Sequence, residues 1–222
     1  MFKRNKLFFA ILFGYAASTQ ANIVDFSGNI CSASADGTGA LTTCSDFPYI
    51  NQSYGDSGNV NVTYKDLINT GNSLSWWDTD YNNLVGVAWG GNGDGTGQSW
   101  DRIEIAPVGN YTITLNSFDM GAYFQTQRNT NIQVLDLLTN SVLLGYGTQT
   151  VGTGNTATNF APNISSADGI AIEWKDSAYN VGIDNINFSV NPTVSVPEPA
   201  TFSLMGLGLA GMGWKLRRKV SA

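Results

Sequence analysis

The sequence contains no histidine among its 222 residues. That removes the commonest general base and the commonest transition-metal ligand, and with them every zinc motif built on histidine. Only two cysteines occur, Cys31 and Cys44, too few to complete a thiolate metal site. The Gly-x-Ser-x-Gly nucleophile elbow is absent as well. Cations are scarce between the two ends, where Lys65, Arg102, Arg128 and Lys175 stand against 16 acidic residues, a balance of −12. Such a surface repels phosphate backbones and excludes nucleic acid as a partner. No part of the body sustains a helical apolar period, and the apolar runs at the two ends are both shorter than the ~20 residues a spanning helix needs.

What is present is β structure. Val60, Val62 and Tyr64 alternate on one face of a strand. Ile103 and Ile105 do the same, with Arg102 and Glu104 opposite; further strands carry Tyr111, Ile113 and Leu115, then Ile132 and Val134, then Ile170, Ile172 and Trp174. A last strand holds Val181, Ile183, Ile186, Phe188 and Val190. Gly-, Asn- and Ser-rich turns separate these segments. The pattern predicts an all-β fold, a single jelly-roll-like β-sandwich over residues 22–191. Residues 92–97, Asn-Gly-Asp-Gly-Thr-Gly, read as a surface loop, because Ile103 stands where an EF-hand requires its bidentate Glu.

The ends carry addresses. Three cations within residues 1–6, an apolar run over 7–17 and a small residue at Ala21 read as a secretory signal over residues 1–21, cleaved to leave Asn22 first. In an exported chain, Cys31 and Cys44 read as a disulfide, with free thiols the alternative. At the other end, residues 192–199 form a linker containing Val196-Pro197-Glu198-Pro199. A Gly/Leu-rich transmembrane segment, 200–216, uncharged from Ala200 to Trp214, follows; the basic stop is Lys215, Arg217, Arg218 and Lys219, and residues 217–222 form a cytoplasmic tail by the positive-inside rule. The prolines keep the stretch ahead of the helix extended and open to a processing enzyme. The order Pro-Glu-Pro, short apolar span, basic end resembles the PEP-CTERM sorting signal. That resemblance implies a Gram-negative host that makes exopolysaccharide and an exosortase-like partner that removes the tail. It also implies a cell-surface or extracellular destination, with the chain anchored in the membrane through its C-terminal helix only until processing. An ordinary C-terminal anchor is the plainer alternative.

The run Val181-Gly182-Ile183-Asp184-Asn185-Ile186-Asn187-Phe188 resembles the closing strand of galactose-binding-like and carbohydrate-binding jelly rolls. In those relatives an acid at this place binds a structural Ca²⁺ with residues near the first strand, which points to Asp184 and Asp25. Counted by twos, Asp184 lies in phase with Ile186 and Phe188, where a carboxylate must be paired, hydrogen-bonded or metal-bound. The alternative is a β-bulge at Asp184-Asn185 that redirects the side chain. Trp76, Trp77 and Tyr81 cluster in a polar stretch, and exposed aromatic faces beside Asp and Asn suit stacking on sugar rings; a core anchor with an edge cover is the competing reading. No catalytic residue is assigned, and the chain reads as a non-enzymatic surface protein able to bind exopolysaccharide. Two alternatives remain: a purely structural coat protein, and a glycoside hydrolase using a carboxylate pair such as Asp78/Asp80 or Glu104/Glu173.

Overall fold

In the computed structural model, residues 20–91 and 98–193 are described. The signal segment up to residue 19, the 92–97 loop and the sorting tail from residue 194 onward lie outside them. The first seven strands are β1 (Gln20–Val24), β2 (Cys31–Ser32), β3 (Tyr49–Ile50), β4 (Val60–Asp66), β5 (Ser75–Trp77), β6 (Val87–Trp89) and β7 (Trp100–Pro107). The second seven are β8 (Tyr111–Ala122), β9 (Arg128–Asp136), β10 (Val142–Val151), β11 (Thr158–Phe160), β12 (Ile164–Ser166), β13 (Ile170–Lys175) and β14 (Val181–Pro192). Two single-turn 3-10 helices, Thr153–Asn155 and Ala178–Asn180, are the helical elements of the described chain.

Among the described residues the strands form two antiparallel sheets. The larger runs β11-β8-β14-β6-β5-β3-β2, with β1 added beside β14 and β12 beside β8; the smaller runs β10-β9-β13-β7-β4. The sheets stack as a sandwich, the fold class that the alternating pattern implies. Each strand contributes its inward residues to one core: Val60, Val62 and Tyr64 from β4, Ile103 and Ile105 from β7, Ile113, Leu115, Phe118 and Met120 from β8, and Ile172 and Trp174 from β13. Strand β13 sits between β7 and β9, so Ala171 and Glu173 on its outer face are buried as well.

The outer face of the smaller sheet is held by charge. Arg102 pairs with Glu104 and with Glu173, each at 2.8 Å, and Lys65 pairs with Glu104 at 2.8 Å. Glu173 also accepts the Trp100 indole N–H at 3.0 Å. Cys31 and Cys44 form a disulfide, Cα atoms 5.1 Å apart, closing the loop between β2 and β3. Strand β1 begins at Gln20, two residues ahead of the expected signal junction, and pairs with β14 from Gln20↔Val190 to Val24↔Ile186.

Candidate functional site

The polar stretch around Trp76 enters strand β5, and a strand sends successive side chains to opposite faces. Trp76 therefore turns towards the main core and donates its indole N–H to the Phe26 carbonyl at 2.9 Å. This corrects the expected aromatic trio: the Trp76 side chain lies on the opposite face of β5 from that of Trp77. Tyr81 is fully buried and donates its hydroxyl to the Tyr179 carbonyl, so it forms a floor and offers no face for stacking. Trp76 and Trp77 are both half-exposed, and of the two it is Trp77 that lines a cleft.

That cleft, about 240 Å³, is lined among the described residues by Phe47, Trp77, Tyr81, Trp89, Tyr123 and Tyr179. The sequence reading missed four of them because they come from separate segments: the loop before β3, strand β6, the end of β8 and the 3-10 turn before β14. The adjacency of β14, β6 and β5 gathers them. Phe47 stands edge-to-face against Trp77 at 4.8 Å and Trp77 against Tyr123 at 5.6 Å; Tyr123 meets Tyr179 at 5.6 Å. Trp89 closes the ring, 6.3 Å from both Phe47 and Tyr179. Perpendicular pairs suit the aromatic quadrupole and leave some ring faces turned to open space.

Two backbone features build the site. Gly121 on β8 and Gly182 on β14 are paired, and a Cβ at Gly121 would lie 2.4 Å from the Tyr81 carbonyl oxygen. Their missing side chains let the Tyr81 segment settle against the sheet. Phe47, by contrast, has φ +79° and is 63% exposed. A bulky residue in this region costs about 1–3 kcal/mol, a strain found mostly where function requires it. The Phe47 ring buries too little surface to explain its place as core packing.

Three exposed acids flank the aromatics along the chain: Asp46 precedes Phe47, Asp78 follows Trp77, and Asp80 precedes Tyr81. Asp46 accepts the Asp78 amide N–H at 3.2 Å. Partial burial first, then the charges of Asp80 and Asp46, raise the Tyr123 phenol above its ordinary value. No Lys or Arg lines the cleft among the described residues. Trp89, 8% exposed, keeps a buried indole N–H with no acceptor among the described residues.

The acids of the last strand tell a different story. The register of β14 against β8 slips between Asp184 and Asn187, and Asn185 adopts φ +52°, so the bulge alternative is the observed geometry. Asp184 nevertheless stays buried. Its carboxylate accepts the Asn185 amide N–H at 2.7 Å, and desolvation, helped by the charges of Asp25 and Asp119, lifts its pKa to about 8. Asp25 lies close enough to be felt, but its Oδ1 already accepts the Ser27 amide at 3.2 Å, the Ser27 hydroxyl at 2.9 Å and the Tyr54 hydroxyl at 3.0 Å. Among the described residues no group of three or more such side chains could hold a metal ion. Among the described residues, Asp25 and Asp184 are thus not part of a cluster of three or more such side chains. Calcium needs six to eight oxygens free to coordinate.

The carboxylate pairs considered for hydrolysis are also placed. Glu104 and Glu173 are tied up by Arg102 and Lys65 on the smaller sheet, while Asp78 and Asp80 are exposed and adjoin the lining residues Trp77 and Tyr81 in the chain. Asp101, fully buried, is the other carboxyl raised well above its usual value, by desolvation and then the Asp66 charge. It does not line the cleft.

Among the described residues no helix is long and apolar enough to cross a membrane; the expected spanning segment, 200–216, lies outside them. No curated protein and no solved structure matches the chain. Residues 195–219 match the PEP-CTERM protein-sorting motif. The motif contains Val196-Pro197-Glu198-Pro199 and the basic stop through Lys219, and it implies processing by an exosortase. The chain is an exported protein that carries a C-terminal PEP-CTERM sorting signal.

Proposed function

We propose that the protein is a non-enzymatic component of the cell surface or extracellular matrix, delivered by its sorting signal, that binds exopolysaccharide through the aromatic cleft. The observation that carries the sugar reading is the convergence of Phe47, Trp77, Trp89, Tyr123 and Tyr179, drawn from five segments, on one acid-rimmed cleft. Sugar rings present patches of C–H to aromatic faces, and polar neighbours bond their hydroxyls. A volume of about 240 Å³ lies below the ~300–1,000 Å³ of pockets for drug-sized ligands and suits one ring of a polymer entering from the surface.

A binding role in place of turnover is supported by the fate of the acids. Hydrolysis of a glycoside needs two carboxyl groups ~5–10 Å apart across the bond, one of them protonated and in reach of substrate. Both carboxyls with raised pKa, Asp101 and Asp184, lie away from the cleft lining, and Glu104 and Glu173 are neutralised by cations.

Calorimetry of the full chain against polysaccharide from its host tests this. Binding heat that Trp77→Ala removes is the expected result. Absence of heat in the unmodified chain refutes the sugar reading, and release of reducing ends on incubation refutes the non-enzymatic one. The sorting part is checked separately: in cells lacking the processing enzyme the chain keeps the mass of residues 200–222 and partitions with membranes.

A further inference from the structure

The cleft has a chemical bias that a general sugar-stacking site would lack. Its described lining is wholly aromatic, no cation reaches it, and exposed Asp46, Asp78 and Asp80 adjoin Phe47, Trp77 and Tyr81. Aromatic faces attract a positive charge through their quadrupole, most strongly where water is excluded. The acids add a field of the same sense, since Asp46 and Asp80 act on the Tyr123 hydroxyl. The rest of the body reinforces it. Three of its four cations are engaged elsewhere, Lys65 and Arg102 with glutamates and Lys175 over the Trp100 ring at 5.4 Å. An anionic polymer would meet repulsion on approach.

From this bias, and resting on the sugar reading above, we infer that the cleft takes a cationic amino sugar. One ring of a de-N-acetylated polysaccharide stacks on Trp77 and its aromatic neighbours, with its ammonium group towards Asp46, Asp78 and Asp80.

The test uses the full chain in a detergent without a sugar headgroup. Calorimetry compares a glucosamine hexamer below its own amine pKa, the N-acetylated hexamer, alginate as a polyanion, and tetramethylammonium. The glucosamine hexamer should bind about tenfold more tightly than the acetylated one, a margin that several rim charges and a cation–π contact supply together. The margin should shrink with added salt. The triple variant Asp46→Asn, Asp78→Asn, Asp80→Asn keeps the side-chain oxygen that accepts the Asp78 amide, and asparagine tolerates the φ of +72° at position 80. It should lose most of that margin and keep only the smaller part due to the cation–π contact. Equal binding by the unmodified chain, or preference for alginate, overturns the amino-sugar inference and leaves the sugar reading standing. Failure of every saccharide, or binding of tetramethylammonium alone, overturns both.

Discussion

Replacing Asp184 with asparagine should make the protein more stable at neutral and alkaline pH and less stable in acid, by about 1–3 kcal/mol. The folded-state pKa of Asp184 is raised from 3.8 to about 8, chiefly because its carboxyl is buried beside β14's bulge with one backbone donor. Below the unfolded value both states hold the proton, and the carboxyl costs nothing through linkage. Between the unfolded and folded values the native state binds a proton that the unfolded chain releases, so stability falls as pH rises. Each unit of separation is worth 1.36 kcal/mol, which sets a ceiling of about 6 kcal/mol on the loss above pH ~8. Asparagine keeps the acceptor for the Asn185 amide but introduces a buried donor pair, costing about 1–3 kcal/mol. A net gain of about 3–5 kcal/mol in alkaline solution remains, or roughly 6–20 °C in Tm for a domain of this size. Thermal and urea melts of the full chain across acid to alkaline pH measure it. Asp101 contributes a slope of the same sign to both proteins, so the difference between the two curves isolates Asp184. Parallel curves would refute the reasoning.

Phe47→Gly should bind the cleft ligand at least about tenfold more weakly while leaving Tm unchanged or higher, because it removes an exposed ring and about 1 kcal/mol or more of backbone strain; a drop in Tm would show that Phe47 is packing. Reduction of the Cys31–Cys44 disulfide, or the double variant Cys31→Ser, Cys44→Ser, should cost about 3 kcal/mol in denaturant melts, the loop entropy of a 13-residue separation. A chelator such as EDTA should not shift the melting midpoint, since Asp25 Oδ1 already accepts three hydrogen bonds and Asp184 carries a proton near neutrality; a fall in the midpoint would support a structural ion.

Residues adjacent in sequence decided the strands, the turns and the two ends. Alternation at Val60–Tyr64, Ile103–Ile105 and Ile170–Trp174 follows from a two-residue period, and it needs no knowledge of partners. The sorting tail is likewise legible from local chemistry, because a processing enzyme and a bilayer read it as a linear string of prolines, apolar residues and cations. The sandwich class follows from many short strands with no helix to cover them. Which neighbours the strands found is another matter. Trp76 and Trp77 are chemically alike, and only the direction of β5 against β6 sends one to the Phe26 carbonyl and the other to the cleft. Phe47, Trp89, Tyr123 and Tyr179 lie up to 132 positions apart. They meet because β14, β6 and β5 pair in that order, and pairing between distant strands is set by the whole core. Asp184 shows the same division: its in-phase position was readable, while its proton and its distance from a full set of oxygen ligands depend on a bulge and on Asp25 and Asp119 arriving from other strands.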